Sequence, residues 1–295
     1  AVPAASTLAR AIAGLGAPCH VHVPADEDET RRIAQRVAPE GIVVACGGDG
    51  TVHACVQGLM AAGITPGSRP RMAIWPVGTG NDIVRGLGPV DVDDPEAFAE
   101  YLVEGNARPV DVGHVTIEAS EEMREHFFLG VLSCGFDSDV NERANAMPAK
   151  VGRARYLLGV ARELPSFRPR WFAIDSDGTD RSMAAMVVAI GNGPAYGSGM
   201  FICPGARTDD GLFDVTVVTN VAKRTLVSVL PRVYTGRHME HEAVEAWRAQ
   251  VLRIDAPDSV VYADGERLGS LPARIQVKAG ALHYIGPPAH HELAE

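Results

Sequence analysis

Apolar residues along the first third of the chain recur in two alternating rhythms. Over 6–15 and 29–37 they return every three to four positions, the spacing of a helix with one buried face. "HVHV" at 20–23 alternates every second position and predicts a strand, and "IVVAC" at 42–46 is a short β-branched run that predicts a buried one. A helical stretch follows over 52–62, then a second apolar strand, "MAIWPV" at 72–77. Each of these two strands runs into a glycine-rich turn, "GGDGT" at 47–51 and "GTGND" at 78–82. Strand, glycine turn and helix, repeated, predict a parallel sheet with crossover helices.

Beyond "NARPVDVG" at 106–113 the rhythm changes. "HFFLGVLSCGF", "MAAMVVAIGN", "LFDVTVVT", "VLRIDA", "SVVYADGE", "ARIQVKA" and "ALHYIG" are short, several alternate with period two, and Gly, Pro and Asp turns join them. That pattern favours an antiparallel sheet or sandwich, interrupted by helical regions near 143–164 and 221–235. The predicted organisation is an α/β domain over 1–113 and a β-sandwich domain over 114–280, and a length of 295 residues suits two domains.

Composition narrows function by exclusion. At 46% hydrophobic and 22% charged the chain is ordinary globular protein, and a formal net charge of -10 argues against a nucleic-acid partner, which needs a basic surface. Cys19, Cys46, Cys55, Cys134 and Cys203 are scattered, so neither a disulfide framework nor a zinc site is expected. With no signal-peptide pattern at the start, the expected location is the reducing cytoplasm. The longest uncharged run, 182–206, is broken by "GNGP", "YGSG" and "PG", so any meeting with a membrane is expected from its surface. His238 and His241, three apart in a polar segment, suggest a solvated helix face rather than a ligand pair.

The two glycine turns carry the chemistry. No lysine follows a glycine, so there is no Walker A loop; the third glycine of GxGxxG would fall on Ile83; no serine sits in a GxSxG elbow; and no HExxH occurs. What remains is two turns about thirty residues apart, each between the end of a strand and the start of a helix, where open α/β sheets bind ligands. Bare backbone N–H groups there suit phosphates. Asp49 and Asp82 at the same edge would repel phosphate unless Mg²⁺ lay between, so the pair predicts a metal–nucleotide complex.

In this light "GGDGT" (47–51) and "PVGTGNDIVRGLG" (76–88), followed in order by "RPVDVG" (108–113), "GFDSDV" (135–140), "ARTDDGLFDV" (206–215) and "DGERL" (264–268), resemble the bacterial diacylglycerol kinase family, related to sphingosine and ceramide kinases. The resemblance covers nearly the whole chain. It implies a Rossmann-like, NAD-kinase-like α/β nucleotide-binding domain joined to an antiparallel β-sandwich, with the last strand (281–295) returning to the first domain. By motif, Gly47, Gly48, Gly50 and Thr51, with Gly78, Thr79, Gly80 and Asn81, match contacts to ATP. Asp49, Asp82 and Asp111 match an acidic set that organises Mg²⁺ near the phosphates; Asp210 with the carbonyls of Arg207 and Leu212 matches a separate structural Mg²⁺ site. Asp264, supported by Glu266, matches the catalytic base, with Asp49 next in line. The implied reaction is ATP- and Mg²⁺-dependent phosphorylation of a lipid hydroxyl, diacylglycerol first, with sphingoid bases, ceramide and glycolipids behind it. The implied partner is a lipid at the membrane surface, with room for a homodimer. The basic, aromatic stretch 149–172 is the candidate membrane contact. One departure stands out: the family opens on a strand ending in an Asn-Pro-x-Ser/Ala-Gly turn over the nucleotide, which this sequence lacks, so a truncated N-terminus is expected. Two other readings compete: a soluble small-molecule kinase of the NAD-kinase or phosphofructokinase type, and a non-catalytic nucleotide-binding regulator. "GTGND" with the distal "DGE" argues against the first, and the retained acids Asp49, Asp82, Asp111 and Asp264 against the second.

Overall fold

The computed structural model describes residues 1–63, 69–118, 123–145 and 154–287. Helices α1 (Val2–Gly14) and α2 (Glu27–Val37) come first, the second opened by an Asp26 carboxylate that accepts the Glu29 N–H at 2.8 Å. "HVHV" forms no strand. It lies in coil with Val21 and Val23 exposed, because period-two alternation needs a partner strand and a surface to cover, and 20–23 has neither. Strand β1 (Ile42–Gly47) pairs in parallel with β2 (Arg71–Pro76). Both faces of β2 are buried, Met72 and Ile74 on one side and Ala73 and Trp75 on the other, which is why it reads as an unbroken apolar run. Between them α3 (Asp49–Ala61) is buried along Val52–Met60 and packs on α2 so closely that a Cβ on Gly58 would lie 2.2 Å from the Arg31 carbonyl. It starts three residues before the predicted helix, so Asp49, Gly50 and Thr51 belong to its first turn.

Short α4 (Asp82–Leu87) and α5 (Pro95–Glu104) lead into β3 (Ala107–Ile117), the strand in which residue 113 lies. β4 (Arg124–Phe128) and β5 (Val131–Gly135) divide the single predicted segment "HFFLGVLSCGF", and α6 (Phe136–Asn145) and α7 (Ala154–Glu163) divide the predicted helical region, whose residues 146–153 lie outside those described. The rest is antiparallel: β6 (Arg170–Ser176), β7 (Thr179–Gly191), β8 (Phe213–Thr219), helix α8 (Lys223–Val233), β9 (Val244–Ala249), β10 (Val251–Asp255), β11 (Val260–Ala263), β12 (Glu266–Ser270) and β13 (Ala273–Ile285). "ARIQVKA" and "ALHYIG" are one strand, β13, whose pairing with β3 shifts register between Lys278 and Leu282.

β13 is the spine. Its first half pairs antiparallel with β10, its whole length pairs antiparallel with β3, and at His283 and Tyr284 it runs parallel to β2, joining the parallel strands to the antiparallel sheet. One core, with Phe128, Phe172, Phe213 and Ile254, fills the antiparallel part; a second, with Val56, Leu59, Met72 and Leu282, lies under α3. His238, in a short 3₁₀ turn after α8, is fully buried with Nε2 3.0 Å from the Ile202 carbonyl, not on a solvated face.

Candidate active site

Gly48, in extended backbone, caps α3, and Asp49 is its first residue. A Cβ on Gly47 would fall 2.3 Å from Thr51 Oγ1, and one on Gly78 2.4 Å from the Gly48 Cα. The two glycine turns therefore touch backbone to backbone, and packing demands these glycines before any ligand arrives. Gly50 differs: a Cβ there meets only Glu266 Oε1, at 3.4 Å, so packing alone does not demand a glycine at this position, which lines the cavity.

That cavity, of about 660 Å³, has Gly48, Asp49, Gly50, Gly78, Thr79 and Gly80 on one wall. Facing them are Gly130 and Ser133 around β5, Asn141 of α6, Tyr196 and Ser198, and Tyr262, Asp264 and Gly265 at the β11–β12 turn. Thr51 and Gly47 stand behind the first turn. Asn81 stands behind the second, in left-handed backbone (φ 52°), its Nδ2 donating to the Pro76 and Gly78 carbonyls at 3.1 Å each.

Three carboxylates converge on this space. A Cβ on Gly80 would sit 2.8 Å from Asp49 Oδ2 and 3.6 Å from Asp82 Oδ2. Asp49 Oδ1 accepts the Ile83 N–H at 3.1 Å; burial, with Asp82 and Asp264 nearby, pushes its pKa up against that bond. Asp82 is spent on structure: Ser198 and Gly199 donate backbone N–H groups at 2.6 and 2.7 Å, and Arg85 Nε lies 3.3 Å away. Asp264 (φ 53°) and Gly265 (φ 88°) make the hairpin turn, and the Asp264 side chain is only 1% exposed, accepting N–H groups from Gly130 at 2.9 Å and Leu129 at 3.1 Å. The turn residue thus also sets a carboxylate against the cavity. Glu266 faces elsewhere, over Gly50 toward α2; burial first and Glu27 second push its carboxyl up, and it does not line the cavity.

The other predicted acids are not brought here. Asp111 accepts the Gly211 and Gly280 N–H groups at 2.7 Å each, tying the 207–212 loop to β13 rather than joining Asp49 and Asp82. Asp49, whose Oδ2 is turned toward Gly80 on the cavity wall, fits the single carboxylate that Mg²⁺ takes when phosphates supply other ligands. The Asp210 loop does not fit a cation. Asp210 Oδ1 accepts the Leu212 N–H at 3.1 Å and Oδ2 is held by Arg248 Nη2 at 2.5 Å, while Arg248 Nε reaches Asp214 at 3.2 Å, so a guanidinium already supplies the positive charge. Arg248 comes from β9, which the sequence reading did not mark as a strand.

Four further groups complete the site. Ser198 and Gly199, in left-handed backbone (φ 67° and 100°), hold Asp82; "GSG" was the available signal. His53 and Gln57, four apart on α3, connect Asp264 to β4: His53 Nδ1 lies 3.4 Å from Asp264 Oδ2 and Gln57 Nε2 3.2 Å from His53 Nε2. Two polar side chains at helical spacing on a face otherwise apolar were the signal there.

Paired backbone turns at the carboxyl edge of parallel strands, facing a held carboxylate on an antiparallel sheet, define a nucleotide-using phosphotransferase of the NAD-kinase-like α/β plus β-sandwich class. Residues 4–115 match the diacylglycerol kinase catalytic domain, and residues 130–286 the YegS C-terminal NAD kinase beta sandwich-like domain. A diacylglycerol kinase of Mycobacterium tuberculosis is 34% identical over 268 residues, covering 90% of this chain and 84% of its own. A solved Bacillus anthracis structure superposes with TM-score 0.75 at 24% identity, over 97% of this chain and 93% of its own. An Archaeoglobus fulgidus NAD kinase in complex with ATP shares the fold at TM-score 0.55 and 12% identity, over 95% and 88%. The chain belongs to the diacylglycerol kinase and YegS-like lipid kinase family, phosphotransferases with an alcohol as acceptor.

Proposed function

We propose that the chain transfers the γ-phosphoryl group of ATP to the primary hydroxyl of diacylglycerol in a Mg²⁺-dependent reaction. The observation that carries this reading is the facing of two kinds of group across one cavity, the bare backbone of Gly48–Gly50 and Gly78–Gly80 on one wall and the Asp264 carboxylate on the other. The first-turn N–H groups of α3 bind phosphate oxygens, and Asp49 Oδ2 is the ligand on offer to a divalent cation. Held by Asp49, Mg²⁺ would supply positive charge to offset that of the transferring phosphoryl group. Asp264 orients the acceptor hydroxyl and takes its proton late, as the bond from that oxygen to the γ-phosphorus forms and the bond to ADP breaks; an ordinary carboxylate is basic enough for that timing. Val131, Ala195 and Met200 give the acceptor wall apolar surface. In this reading residues 1–113 with the returning segment from 281 on carry the nucleotide, and 114–280 the lipid. Labelled-ATP assays over diacylglycerol, sphingoid bases, ceramide and glycolipids in mixed micelles, with and without EDTA, test it; turnover of NAD with no lipid phosphorylated would sink it.

The lipid reading requires contact with a bilayer from the cytoplasmic side. No helix among the described residues is long and apolar enough to cross one. Of the basic stretch 149–172, Lys150 and Arg153 lie outside the described residues. The remainder continues onto α8: both helices share the cluster of Phe167 and Leu226, and Lys223 donates to the Pro165 carbonyl. Leu158, Trp171, Val227 and Tyr234 are exposed on or beside these elements, as are Arg162, Arg168, Arg224 and Arg232, and Glu163 is paired with Arg143 at 2.6 Å. Such a face suits an anionic bilayer. Charge reversal of Arg168 and Arg224 should weaken sedimentation with phosphatidylglycerol vesicles and spare turnover of short-chain diacylglycerol; unchanged sedimentation at low salt would remove the idea.

A further inference from the structure

The Asp264 carboxylate is asymmetrically held. Oδ1 accepts one N–H, from Gly130, whereas Oδ2 accepts Leu129 and faces His53 Nδ1 at 3.4 Å, a long contact of the kind that tightens when substrate binds. His53 is itself nearly enclosed, its side chain 3% exposed. Behind it, Gln57 cannot turn. Its Nε2 donates to the Phe127 carbonyl at 2.5 Å while its Oε1 accepts the Phe127 N–H at 3.1 Å, so the amide is read by the backbone of β4 at both ends. The contact from Gln57 Nε2 to His53 Nε2, 3.2 Å, therefore has the amide as donor and the ring nitrogen as acceptor. A ring that accepts at Nε2 carries its proton on Nδ1, the atom that faces Asp264.

We infer that His53 is a positioning residue for the phosphotransfer: a neutral ring, its tautomer selected by Gln57, that donates to Asp264 Oδ2 and so leaves Oδ1 toward the acceptor hydroxyl. The inference rests on the reading of Asp264 as proton acceptor. Removing the donor leaves Oδ2 with Leu129 alone and frees the carboxylate to rotate about its turn.

The ring can be read without turnover. ¹⁵N-labelled protein should show His53 with a protonated Nδ1 and a bare Nε2. His53→Leu keeps bulk and removes the donor; kcat should fall about 10- to 100-fold, the worth of a buried hydrogen bond to a charged group, with KM for ATP unchanged. His53→Asn sets an amide N–H near the place of Nδ1 and should recover most of that loss. Gln57→Glu offers an acceptor to Nε2, draws the proton there and should lower kcat as His53→Leu does. A ring protonated at Nε2, His53→Leu with normal kcat, or His53→Asn as slow as His53→Leu at equal melting temperature would overturn the inference. An active Asp264→Asn would overturn the base assignment instead, and the tautomer would then decide the Gln57–His53 contact by itself.

Discussion

Asp264→Asn separates the two duties of one residue. Asparagine followed by Gly265 is as good a two-residue hairpin turn as aspartate, and the left-handed backbone at 264 and 265 should persist. The carboxylate, however, accepts from Gly130, Leu129 and the His53 ring, and an amide has one oxygen. In its better orientation the amide keeps Leu129 and His53 on oxygen and turns its own N–H groups toward that of Gly130. The Gly130 N–H and the amide N–H that faces it then both go unmet, each at about 1–3 kcal/mol. For a chain of this size each kcal/mol lowers melting by roughly 2–4 °C. Turnover of dispersed diacylglycerol, measured well below the melting transition, should fall by about 10² to 10⁴ in kcat with KM for ATP little changed, the usual worth of a general base. A variant that melts lower yet keeps kcat would leave Asp264 as a clamp on 129–130 and refute its role as proton acceptor.

Asp49→Asn keeps an oxygen for the Ile83 N–H, so turnover and its Mg²⁺ dependence should collapse while melting at pH 7 holds or rises. Burial raises the Asp49 pKa in the fold, so the ionised residue costs stability above that pKa, and the variant's gain should fade as pH falls and the wild-type carboxyl protonates. The same sign applies more strongly to Asp137, fully enclosed on α6 behind Ser133 and pushed up to about 6 by burial. Wild-type stability should drop as pH rises from about 4 to 6, and Asp137→Asn should regain about 2–3 kcal/mol at pH 7.5 and little at pH 4, read by urea melts at both pH values. Gly80→Ala drives a methyl to 2.8 Å from Asp49 Oδ2 and should cut turnover with modest loss of stability; normal turnover would mean that the carboxylate has room to move. EDTA should not lower the melting temperature of the wild-type protein, because Arg248 serves Asp210 and Asp214, whereas Arg248→Gln should make melting rise with added Mg²⁺.

Local patterns settled much of this protein in advance. β2 had to be a strand buried on both faces because it is apolar at every position from Met72 on, and the two glycine turns had to end strands because nothing but bare backbone fits where Gly47 meets Thr51. Asp49 and Asp82 were legible at one sheet edge from the two glycine turns, while Asp111 was grouped with them, and Asp264 with Glu266 assigned as base, only through the family resemblance. What the linear chain could not express was which way each group faces. "HVHV" has the alternation of a strand and no neighbour to pair with; Glu266, two residues from Asp264 across a tight turn, points toward α2; Asp111 serves the 207–212 loop; and Arg248 reaches Asp210 from a strand that charge alternation disguised. His53 and Gln57 were visible as residues and meaningless until β13 brought the β11–β12 turn over the first turns of α3. The physical reason is common to all of these: propensity and period act over a few residues, whereas hydrogen-bond partners and burial are assigned by contacts from tens to more than a hundred positions apart, and those exist only once the sheet has closed.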